Sequence, residues 1–505
     1  MEERKSSALE DSKSLPSGLG TGCSLEGSVE PEASEKEQCF ALRAQDSKNP
    51  SQAPCAMRID IYDSFNLIDM MNKAPYKKKN INEAINDLKR CLVYCISAPP
   101  VYMIKTYDPI DEVPKVSYVS EMVAKQLLNK IVVKRKTGSE KYDTTAWRLF
   151  LNNQLEFTVK AIKFYSEDEQ VFNYFRGYDY RQLDEVKEEI IKPFLDHIHD
   201  VIANKNEEVY KYILVWIASI LQKPNFKTGT ALVILGNQGT GKNVFTNVIC
   251  KLMARYANEN ITSIESVVGK FNAVLENKKL LILNELQSID ANKYLNSDAL
   301  KSVITDYKIN INQKNEPERL TENVANFIMI SNNNIPIKIE ATDRRYMVTK
   351  TSDDKRGDFE YFDKLCDSFT SEFYENLFTF FMMLDINNYN LRKIPTTESK
   401  EDIKEASMSS YELFIREYYE RINDITGPDM FNLYNEFIEK YKFRECSSRT
   451  FISNMKQFTG NSKPKRIDGK VYKVYNLLPE VYNAMKKYND ELEAKIIDEV
   501  PDDAF

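Results

Sequence analysis

Histidine is scarce in this sequence, and its cysteines are scattered. Its 505 residues include two histidines, His197 and His199, and eight cysteines without a CxxC pair. These counts argue against a histidine-based metal site and a zinc set, and they favour reduced thiols in an intracellular protein. Both histidines lie in a helix-like stretch, and we interpret them as structural residues.

Long apolar runs and an excess of positive charge are also absent. The start, MEERKSSALEDSKS, has no apolar signal-peptide core, and the longest apolar run, YILVWIASIL at 212–221, is too short to span a bilayer. The net charge is −7, so any contact with DNA or RNA has to be local. We expect a soluble intracellular protein with no membrane partner.

Composition and periodicity divide the chain into seven regions. The first is rich in Ser, Glu, Gly and Pro, and Phe40 is its only aromatic residue, so it cannot bury enough apolar surface to order. In order, we predict a disordered tail at 1–57, a small mixed region at 58–135, a helical domain at 136–225, an α/β core at 226–357, a helical extension at 358–408, a winged-helix-like unit at 409–478 and a charged tail at 479–505.

The fold class follows from the pattern after residue 230. Short apolar segments, ALVILG, KLLILNE, ANFIMIS and RRYMVTK, alternate with helical or polar segments, which predicts an α/β sheet with helices on its faces. Upstream, INEAINDLKRCLVYCI at 81–96 has helical periodicity. Trp147 and Trp216 are interpreted as core residues.

The segment GNQGTGKN, residues 236–243, has the GxxxxGK spacing of a phosphate-binding P-loop between a strand and a helix. Glycines let backbone N–H groups converge on phosphates, and Lys242 reaches the β- and γ-phosphates. Asn243 replaces the usual Ser or Thr; its amide oxygen can bind Mg²⁺ weakly or contact a metal-bound water. The predicted nucleotide-binding residues are Gly236, Asn237, Gln238, Gly239, Thr240, Gly241, Lys242, Asn243 and Val244.

Further candidates follow the other predicted strands. Glu285 would orient and polarise the attacking water, and Asn284 stands where Asp more often contacts the Mg²⁺ shell. Asn332 is our candidate for contacting the γ-phosphate, and Arg344 or Arg345 for stabilising transition-state charge. Taken singly, these residues are also typical of polar strand ends and an Asp–Arg surface pair, but they occur in order within 236–345.

Together, GNQGTGKN, LLILNE, FIMISNN and DRR resemble superfamily 3 helicases, a branch of the AAA+ ATPases. Over roughly 136–400, sequence segments such as VFNYFRGYDY and VVGKFNAVLENKKLLILNE resemble the helicase domains of phage, plasmid and large-DNA-virus primase-helicases. The resemblance implies a homo-hexameric ring that hydrolyses ATP with Mg²⁺ between subunits and moves along single-stranded DNA. It implies that Lys242 binds phosphate, Glu285 supports hydrolysis, Asn332 senses the γ-phosphate, and Arg344 or Arg345 acts across the subunit interface.

The resemblance also implies a pore hairpin between the second and third motifs. KININQKNEPERLTENV has a strand-like half, a polar tip and a return, and Lys314 near the tip could contact the DNA backbone. A solvated lysine on a hairpin is the plain alternative. Region 58–135 is too short for the primer-synthesis module of such proteins, so we expect a helicase that works with a separate primase or polymerase.

The unit at 409–478 reads as helix, helix and β-hairpin, which suggests a winged helix. KPKRIDGKVYKVYNL contains two short strands around an Asp-Gly turn. Arg449, Lys465 and Arg466 are the candidate DNA contacts, since the second helix can enter a groove and the wing can touch phosphates. A protein-interaction domain with a solvated basic hairpin is an equal alternative.

Two functions remain open from the sequence. The first is an ATP-dependent replicative DNA helicase of a virus-like or mobile element, located in the nucleus or a viral replication compartment. The second is a catalytically weak ATPase kept as a nucleotide-regulated DNA-binding or assembly module. Asn243 and Asn284 favour the second, whereas Lys242, Glu285 and the arginine pair favour the first. A small-molecule P-loop kinase would need acceptor-site features that the sequence does not display.

Overall fold

The computed structural model describes residues 65–72, 81–97, 100–107, 114–137, 140–284, 294–314, 318–334, 337–340, 342–467 and 469–498. The predicted tail at 1–57 and the last seven residues of the predicted charged tail lie outside the described residues. So does Glu285.

The helices of the described part are distributed along the whole chain. They are α1 Leu67–Asn72, α2 Ile81–Lys89, α3 Glu121–Asn129, α4 Ala146–Asn152, α5 Glu188–Asp196, α6 Glu207–Gln222, α7 Lys242–Met253, α8 Glu265–Val268, α9 Tyr294–Thr305, α10 Phe359–Asp367, α11 Ser371–Met383, α12 Glu398–Ala406, α13 Ser410–Tyr418, α14 Gly427–Tyr441, α15 Ser448–Thr459 and α16 Pro479–Asp498. A π-helix, His197–Ile202, continues directly from α5.

The strands fall into several small sheets and one central sheet. They are β1 Leu92–Cys95, β2 Val101–Tyr107, β3 Pro114–Val119, β4 Val132–Thr137, β5 Glu140–Thr145, β6 Thr158–Val159, β7 Ala161–Lys163, β8 Val171–Asn173, β9 Ala231–Leu235, β10 Ala257–Ile261, β11 Leu280–Leu283, β12 Lys308–Ile311, β13 Arg319–Glu322, β14 Asn326–Ser331, β15 Tyr346–Lys350, β16 Ile425–Thr426, β17 Lys463–Ile467 and β18 Lys470–Tyr475.

The central sheet is parallel, with the order β10-β11-β14-β9-β15. Successive residues of its strands enter opposite cores: Leu232 and Ile234 of β9 pack with α6 and α7, whereas Val233 packs on the other face. Burial on both faces explains why these strands are continuous apolar runs. The predicted α/β sheet is therefore confirmed; the structure shows that its strands are parallel and adds β10, a polar edge strand, to the four predicted strands.

Helix α6 is buried almost all round, which the run YILVWIASIL indicated. Its Trp216 is fully buried and donates Nε1–H to Thr230 Oγ1 at 3.2 Å. Tyr212 donates its hydroxyl to the Leu391 carbonyl oxygen at 2.7 Å. These bonds satisfy the polar atoms of two large core residues and join α6 to the segments before β9 and after α11.

Two helical predictions upstream of the central sheet were wrong in part. The helix expected over 81–96 ends at Lys89, because LVYC forms β1 and pairs antiparallel with β2. Apolar, β-branched and aromatic residues in a short buried run fit a strand as well as a helix, so periodicity alone could not separate them. Residues 136–225 contain β5 to β8 as well as helices, so the region is helical mainly from Glu188 onward.

Outside the central sheet, two hairpins bear on function. Strands β12 and β13 pair antiparallel within the segment predicted as a hairpin, residues 308–324. Strands β17 and β18 form the second hairpin, and β16 pairs with β18 to give a three-stranded sheet beside α14 and α15. The first twenty residues of the predicted charged tail form α16. Within the described part, no helix is both long and apolar enough to cross a membrane.

Candidate functional site

The glycine loop, residues 236–241, connects the carboxyl end of β9 to the start of α7. Gly236 donates its N–H to the Ser331 carbonyl oxygen at 3.2 Å, which joins the loop to the end of β14. A Cβ atom on Gly236 would lie 1.9 Å from Oγ1 of Thr351, so this close approach requires glycine. The loop thus stands at the carboxyl edge of the sheet, where open α/β folds bind ligands.

Lys242, the first residue of α7, folds its side chain back into the glycine loop. Its Nζ donates to the carbonyl oxygens of Gly236 and Asn237, both at 2.7 Å. Burial lowers the pKa of Lys242 to about 8, while the nearby Asp353 carboxylate acts in the opposite direction. An ammonium group held this way can exchange carbonyl partners for the stronger, charge-assisted bonds that a phosphate offers.

The segment after β15 closes one side of the glycine loop, which the sequence did not predict. Asn237 donates Nδ2–H to Asp353 Oδ2 at 2.8 Å. The Thr351 hydroxyl donates to Thr240 Oγ1 at 3.0 Å, and Thr240 in turn donates to the Asn237 carbonyl oxygen at 3.0 Å. Through these bonds, Thr351 and Asp353 of the segment after β15 hold the middle of the glycine loop in place. Its exposed residues are Asn237, Gln238 and Gly239.

The first turn of α7 presents backbone N–H groups beside Lys242. Its N-cap is Gly241, in the left-handed region at φ 86°, with no side-chain cap. Asn243 is exposed in this turn, and Val244 packs against the core below it. The uncapped N–H groups and the helix dipole favour an anion at this end of the 12-residue helix.

The ends of β14 and β11 bring different residues to this edge. Asn332 is exposed directly after Ser331, whose carbonyl oxygen is bonded to the glycine loop. Asn284 follows β11, one strand farther away, because β14 lies between β11 and β9. Its Nδ2 donates to the Glu259 carbonyl oxygen of the edge strand at 3.2 Å, and its Oδ1 is buried without a partner in the described part of the chain.

The oxygen atoms at this edge match the ligands that Mg²⁺ prefers. They include the exposed Asn243 side chain and the Oδ1 atom of Asn284. The neighbouring Glu285 carboxylate lies outside the described residues. Among the residues that the structure describes, no group of three or more His, Cys, Asp and Glu side chains forms a metal cluster.

The two arginines lie at the opposite edge of the sheet. The Arg345 carbonyl oxygen accepts the Ala231 N–H at 2.8 Å, so Arg345 stands beside the first residue of β9. Strand β15 then runs parallel to β9 for five residues. At roughly 3.3 Å per residue, about 16 Å separates the arginines from the glycine loop of the same chain. Neither guanidinium is placed to act on its own loop.

The β12–β13 hairpin is bound to neighbouring segments near its tip. Lys314 is exposed in the turn, and residues 315–317 lie outside the described residues. Asn272 donates Nδ2–H to the Asn310 carbonyl oxygen at 2.9 Å and accepts the Asn312 N–H at 2.9 Å. Arg319 pairs with Glu276, and its guanidinium lies 4.6 Å from the Tyr118 ring centroid of β3.

This anchoring places Phe271, which the sequence reasoning did not single out, beside the hairpin. Phe271 precedes Asn272 and its side chain is 50% exposed, although large aromatic side chains are usually buried. Lys270 next to it is exposed, and Leu320 on β13 is 64% exposed. The signal in the sequence was a Lys-Phe pair within a segment that otherwise enters the core.

In the C-terminal unit the predicted DNA contacts fall on separate surfaces. Arg449 is exposed in the first turn of α15. Lys465 and Arg466 are adjacent on β17, so their side chains point to opposite faces of the hairpin. Lys465 pairs with Asp424, whereas Arg466 is exposed and shares a face with Val471, which is 69% exposed.

Strand β18 of this hairpin also forms one wall of a cleft of about 510 Å³. The cleft is lined by Thr426, Gly427, Pro428, Asp429, Tyr472, Lys473 and Tyr475. It lies between the first turn of α14 and strand β18.

Known proteins are similar to several parts of this chain. A model described as a family of unknown function (DUF5906) matches residues 234–345, from β9 to the arginine pair. A DNA primase-polymerase of Nitratiruptor phage NrS-1 is 33% identical over 192 residues, which are 37% of this chain and 26% of that protein. The match therefore spans about a quarter of that relative's length.

Solved structures extend the similarity in fold. The apo structure of the NrS-1 C-terminal region (305–718) has a TM-score of 0.53 at 20% identity, over 77% of this chain and 97% of that chain. An A form apo structure of the same region has a TM-score of 0.54 at 19% identity, over 79% and 99%. This chain thus has the fold of that C-terminal region over most of its length.

Proposed function

We propose that this chain is an ATP-dependent DNA helicase of the superfamily 3 type, with a P-loop AAA+ core, that acts in the replication of a virus-like or mobile element. The observation that carries the proposal is the position of Lys242 inside the glycine loop, with its Nζ on two loop carbonyl oxygens at the carboxyl edge of a parallel sheet. A lysine and uncapped helical N–H groups at one point suit a nucleotide phosphate.

Each residue at this edge then has a role in ATP hydrolysis. Lys242 and the backbone N–H groups of the glycine loop bind the β- and γ-phosphates. Asn332, at the end of the strand next to β9, contacts the γ-phosphate, and Glu285 orients the attacking water. Mg²⁺ would be held by oxygen atoms of Asn243, Asn284 and Glu285, and it would neutralise charge on the phosphates.

The arginine pair supports an assembly of several subunits. Because Arg344 lies at the far edge of its own sheet, it can stabilise the transition state only in a neighbouring subunit's site. Its exposed side chain is available for this contact. A closed ring, which we expect to be a homo-hexamer, provides each site with one such arginine.

Single-stranded DNA would pass along the β12–β13 hairpin. Lys314 at the tip can pair with a phosphate, and the exposed Phe271, which precedes the Asn272 that is bonded to this hairpin, offers a ring on which a base can stack. The C-terminal unit adds Arg449 and Arg466 as contacts to DNA, in the manner of a winged helix. These sites are local, as a chain of net charge −7 requires.

Similarity to a phage primase-polymerase supports the replication context. A protein named DNA primase-polymerase is 33% identical to this chain over an alignment of 192 residues, which supports a role for this chain in acting on DNA during replication. We propose that a separate primase or polymerase supplies primer synthesis to this helicase.

A second function is a nucleotide-regulated DNA-binding or assembly module with weak hydrolysis. The observation in its favour is the side chain of Asn284, which is neutral and bonded to the edge strand, where a carboxylate would otherwise support the metal. In this case ATP binding alone would change the assembly or its affinity for DNA.

The test is ATP turnover by the full chain, with and without single-stranded DNA, beside Lys242→Ala and Arg344→Ala. The helicase proposal expects turnover that DNA stimulates and that both substitutions abolish, followed by unwinding of a forked duplex. Binding of ATP and DNA without turnover would replace it with the regulated module. If the wild-type chain binds no ATP, both functions are wrong.

A further inference from the structure

Behind the glycine loop lies a π-helix, His197–Ile202, that continues from α5. Short π-helical turns are rare and are often found at functional sites. His197, its first residue, is fully buried, and its ring touches Gly241. A Cβ atom on Gly241 would lie 2.5 Å from Cε1 of His197 and 2.7 Å from Cε1 of Phe362, so glycine is required at this contact.

The hydrogen bonds of His197 determine its tautomer. The carbonyl oxygen of Gly241, 3.2 Å from Nε2, can only accept, so Nε2 carries the proton and donates it. Nδ1 therefore accepts the hydroxyl of Tyr361 at 3.0 Å. Burial lowers the pKa of His197 to about 4 and raises the pKa of Tyr361 to about 12, which keeps the ring neutral and the hydroxyl protonated.

This bond acts on the peptide that joins the glycine loop to α7. The Gly241 carbonyl oxygen also accepts the Phe245 N–H at 3.2 Å, so two donors fix its direction. In a planar trans peptide the C=O and N–H point in opposite directions. A carbonyl of Gly241 that is held toward His197 therefore directs the N–H of Lys242 away from His197, to the side of the glycine loop.

We infer that His197 is a positioning residue: with Tyr361, it holds the Gly241–Lys242 peptide so that the Lys242 N–H faces a bound phosphate. The inference rests on the proposed nucleotide-binding function, and it assigns a role in that function to a histidine that the sequence predicted to be structural. Because Tyr361 belongs to α10, this contact also ties the orientation of the peptide to the helical segment after β15.

The chain provides a matched control on the same π-helix. His199 lies two residues away, and its side chain is 28% exposed; its ring nitrogens are bonded to Asp200 at 2.7 Å and Glu207 at 3.0 Å. It does not contact the glycine loop. His199→Met removes an imidazole from the same π-helix without touching the peptide at Gly241.

The experiment measures the affinity of the full chain for Mg²⁺ with the non-hydrolysable analogue adenosine 5′-(β,γ-imido)triphosphate. The set comprises wild type, Lys242→Ala, His197→Met, His197→Gln, Tyr361→Phe and His199→Met. Loss of one positioned hydrogen bond weakens binding by about 3- to 10-fold, so we expect this for His197→Met. A smaller loss is expected for Tyr361→Phe, and wild-type affinity for His199→Met.

His197→Gln is the conservative variant, since its amide N–H can reach the Gly241 carbonyl oxygen and should restore affinity to within about 2-fold. A purely structural role would not give this rescue, because both His197 variants lose the ring. Thermal unfolding checks that each variant is folded, and Tyr361→Phe carries the test if His197→Met does not fold. Wild-type affinity of a folded His197→Met overturns the inference. If His197→Met does not fold, wild-type affinity of Tyr361→Phe overturns it. A folded His197→Gln that does not restore affinity also overturns it.

The outcomes separate this inference from the proposed function. If wild type binds the analogue and Lys242→Ala does not, while His197→Met binds like wild type, only the role of His197 is wrong. If wild type itself does not bind the analogue, the nucleotide-binding proposal fails and the role of His197 fails with it.

Discussion

Arg345 is bound to Asp343 by two hydrogen bonds: the Asp343 carboxylate accepts the Arg345 backbone N–H at 2.7 Å and its guanidinium at 3.1 Å. The Asp343 side chain is fully buried. Arg344, between them in sequence, is exposed. The two arginines thus differ: Arg345 balances the charge of a buried carboxylate, whereas Arg344 is available to a partner.

We therefore predict different consequences for Arg344→Ala and Arg345→Ala. Arg344→Ala should lower ATP turnover by about 10³-fold or more with little loss of stability, since a trans-acting arginine stabilises only the transition state. Arg345→Ala should lower the free energy of unfolding by roughly 1–3 kcal/mol, because it leaves a buried carboxylate without its cation. Steady-state ATPase assays and denaturant unfolding measure the two effects.

Mixing variants tests whether Arg344 acts between subunits. Lys242→Ala and Arg344→Ala chains, each inactive alone, should regain part of the turnover when mixed, since some interfaces then combine an intact Lys242 with an intact Arg344. Equal loss of turnover for Arg344→Ala and Arg345→Ala, with no recovery when Lys242→Ala and Arg344→Ala chains are mixed, would contradict these separate roles of the two arginines.

The lowered pKa of Lys242 gives a pH dependence. Phosphate binding needs the ammonium form, which predominates below the pKa of about 8 and is lost above it. The affinity for the ATP analogue should therefore fall up to tenfold per pH unit above about pH 8, until the higher pKa of the phosphate-bound state is reached. Lys242→Arg, charged throughout this range, is the control. An equally steep fall in that variant would assign the titration to another group.

Phe271→Ala should weaken binding of single-stranded DNA by about 5- to 160-fold, because stacking of one base on an aromatic ring is worth roughly 1–3 kcal/mol. Phe359→Ala is the matched control, since Phe359 is 80% exposed at the start of α10, away from the hairpin. Fluorescence anisotropy with a labelled oligonucleotide measures both. Equal affinities for the two variants would remove Phe271 from the DNA path.

The two cations of β17 should differ as well. Arg466→Ala should weaken binding of DNA and reduce its salt dependence, since an exposed cation exchanges counterions with phosphates. Lys465→Ala should change DNA binding less, because Lys465 is paired with Asp424. Binding isotherms at several salt concentrations measure this. If neither substitution changes DNA binding, the hairpin belongs to a protein-interaction domain.

Asn243→Thr should lower the Mg²⁺ concentration at half-maximal ATP turnover, because it restores the hydroxyl with which P-loops usually bind Mg²⁺ at this position. We expect a shift of about 3- to 10-fold, the effect of one added ligand interaction. A magnesium titration at saturating ATP measures it. An unchanged midpoint would mean that Asn243 does not contact the metal shell.

The sequence was sufficient for the α/β sheet with helices on its faces, since ALVIL, LLIL, NFIMIS and YMVTK belong to short apolar segments that alternate with helical or polar segments. It also located the glycine loop, because the spacing of Gly236, Gly241 and Lys242 is a local property of the chain. The hairpin at 308–324 and the helix–helix–hairpin order near the C-terminus were visible for the same reason.

The tertiary structure decided what depends on contacts between distant segments. It placed His197 against Gly241, Asp353 against Asn237, and Phe271 beside the β12–β13 hairpin, across separations in sequence that no periodicity reports. It also showed LVYC as a strand, because its residues pair with β2, a contact that the helical spacing of apolar residues in 81–96 does not report. Arg344 and Arg345 look equivalent in sequence; only the burial of Asp343 makes one an internal partner and leaves the other exposed.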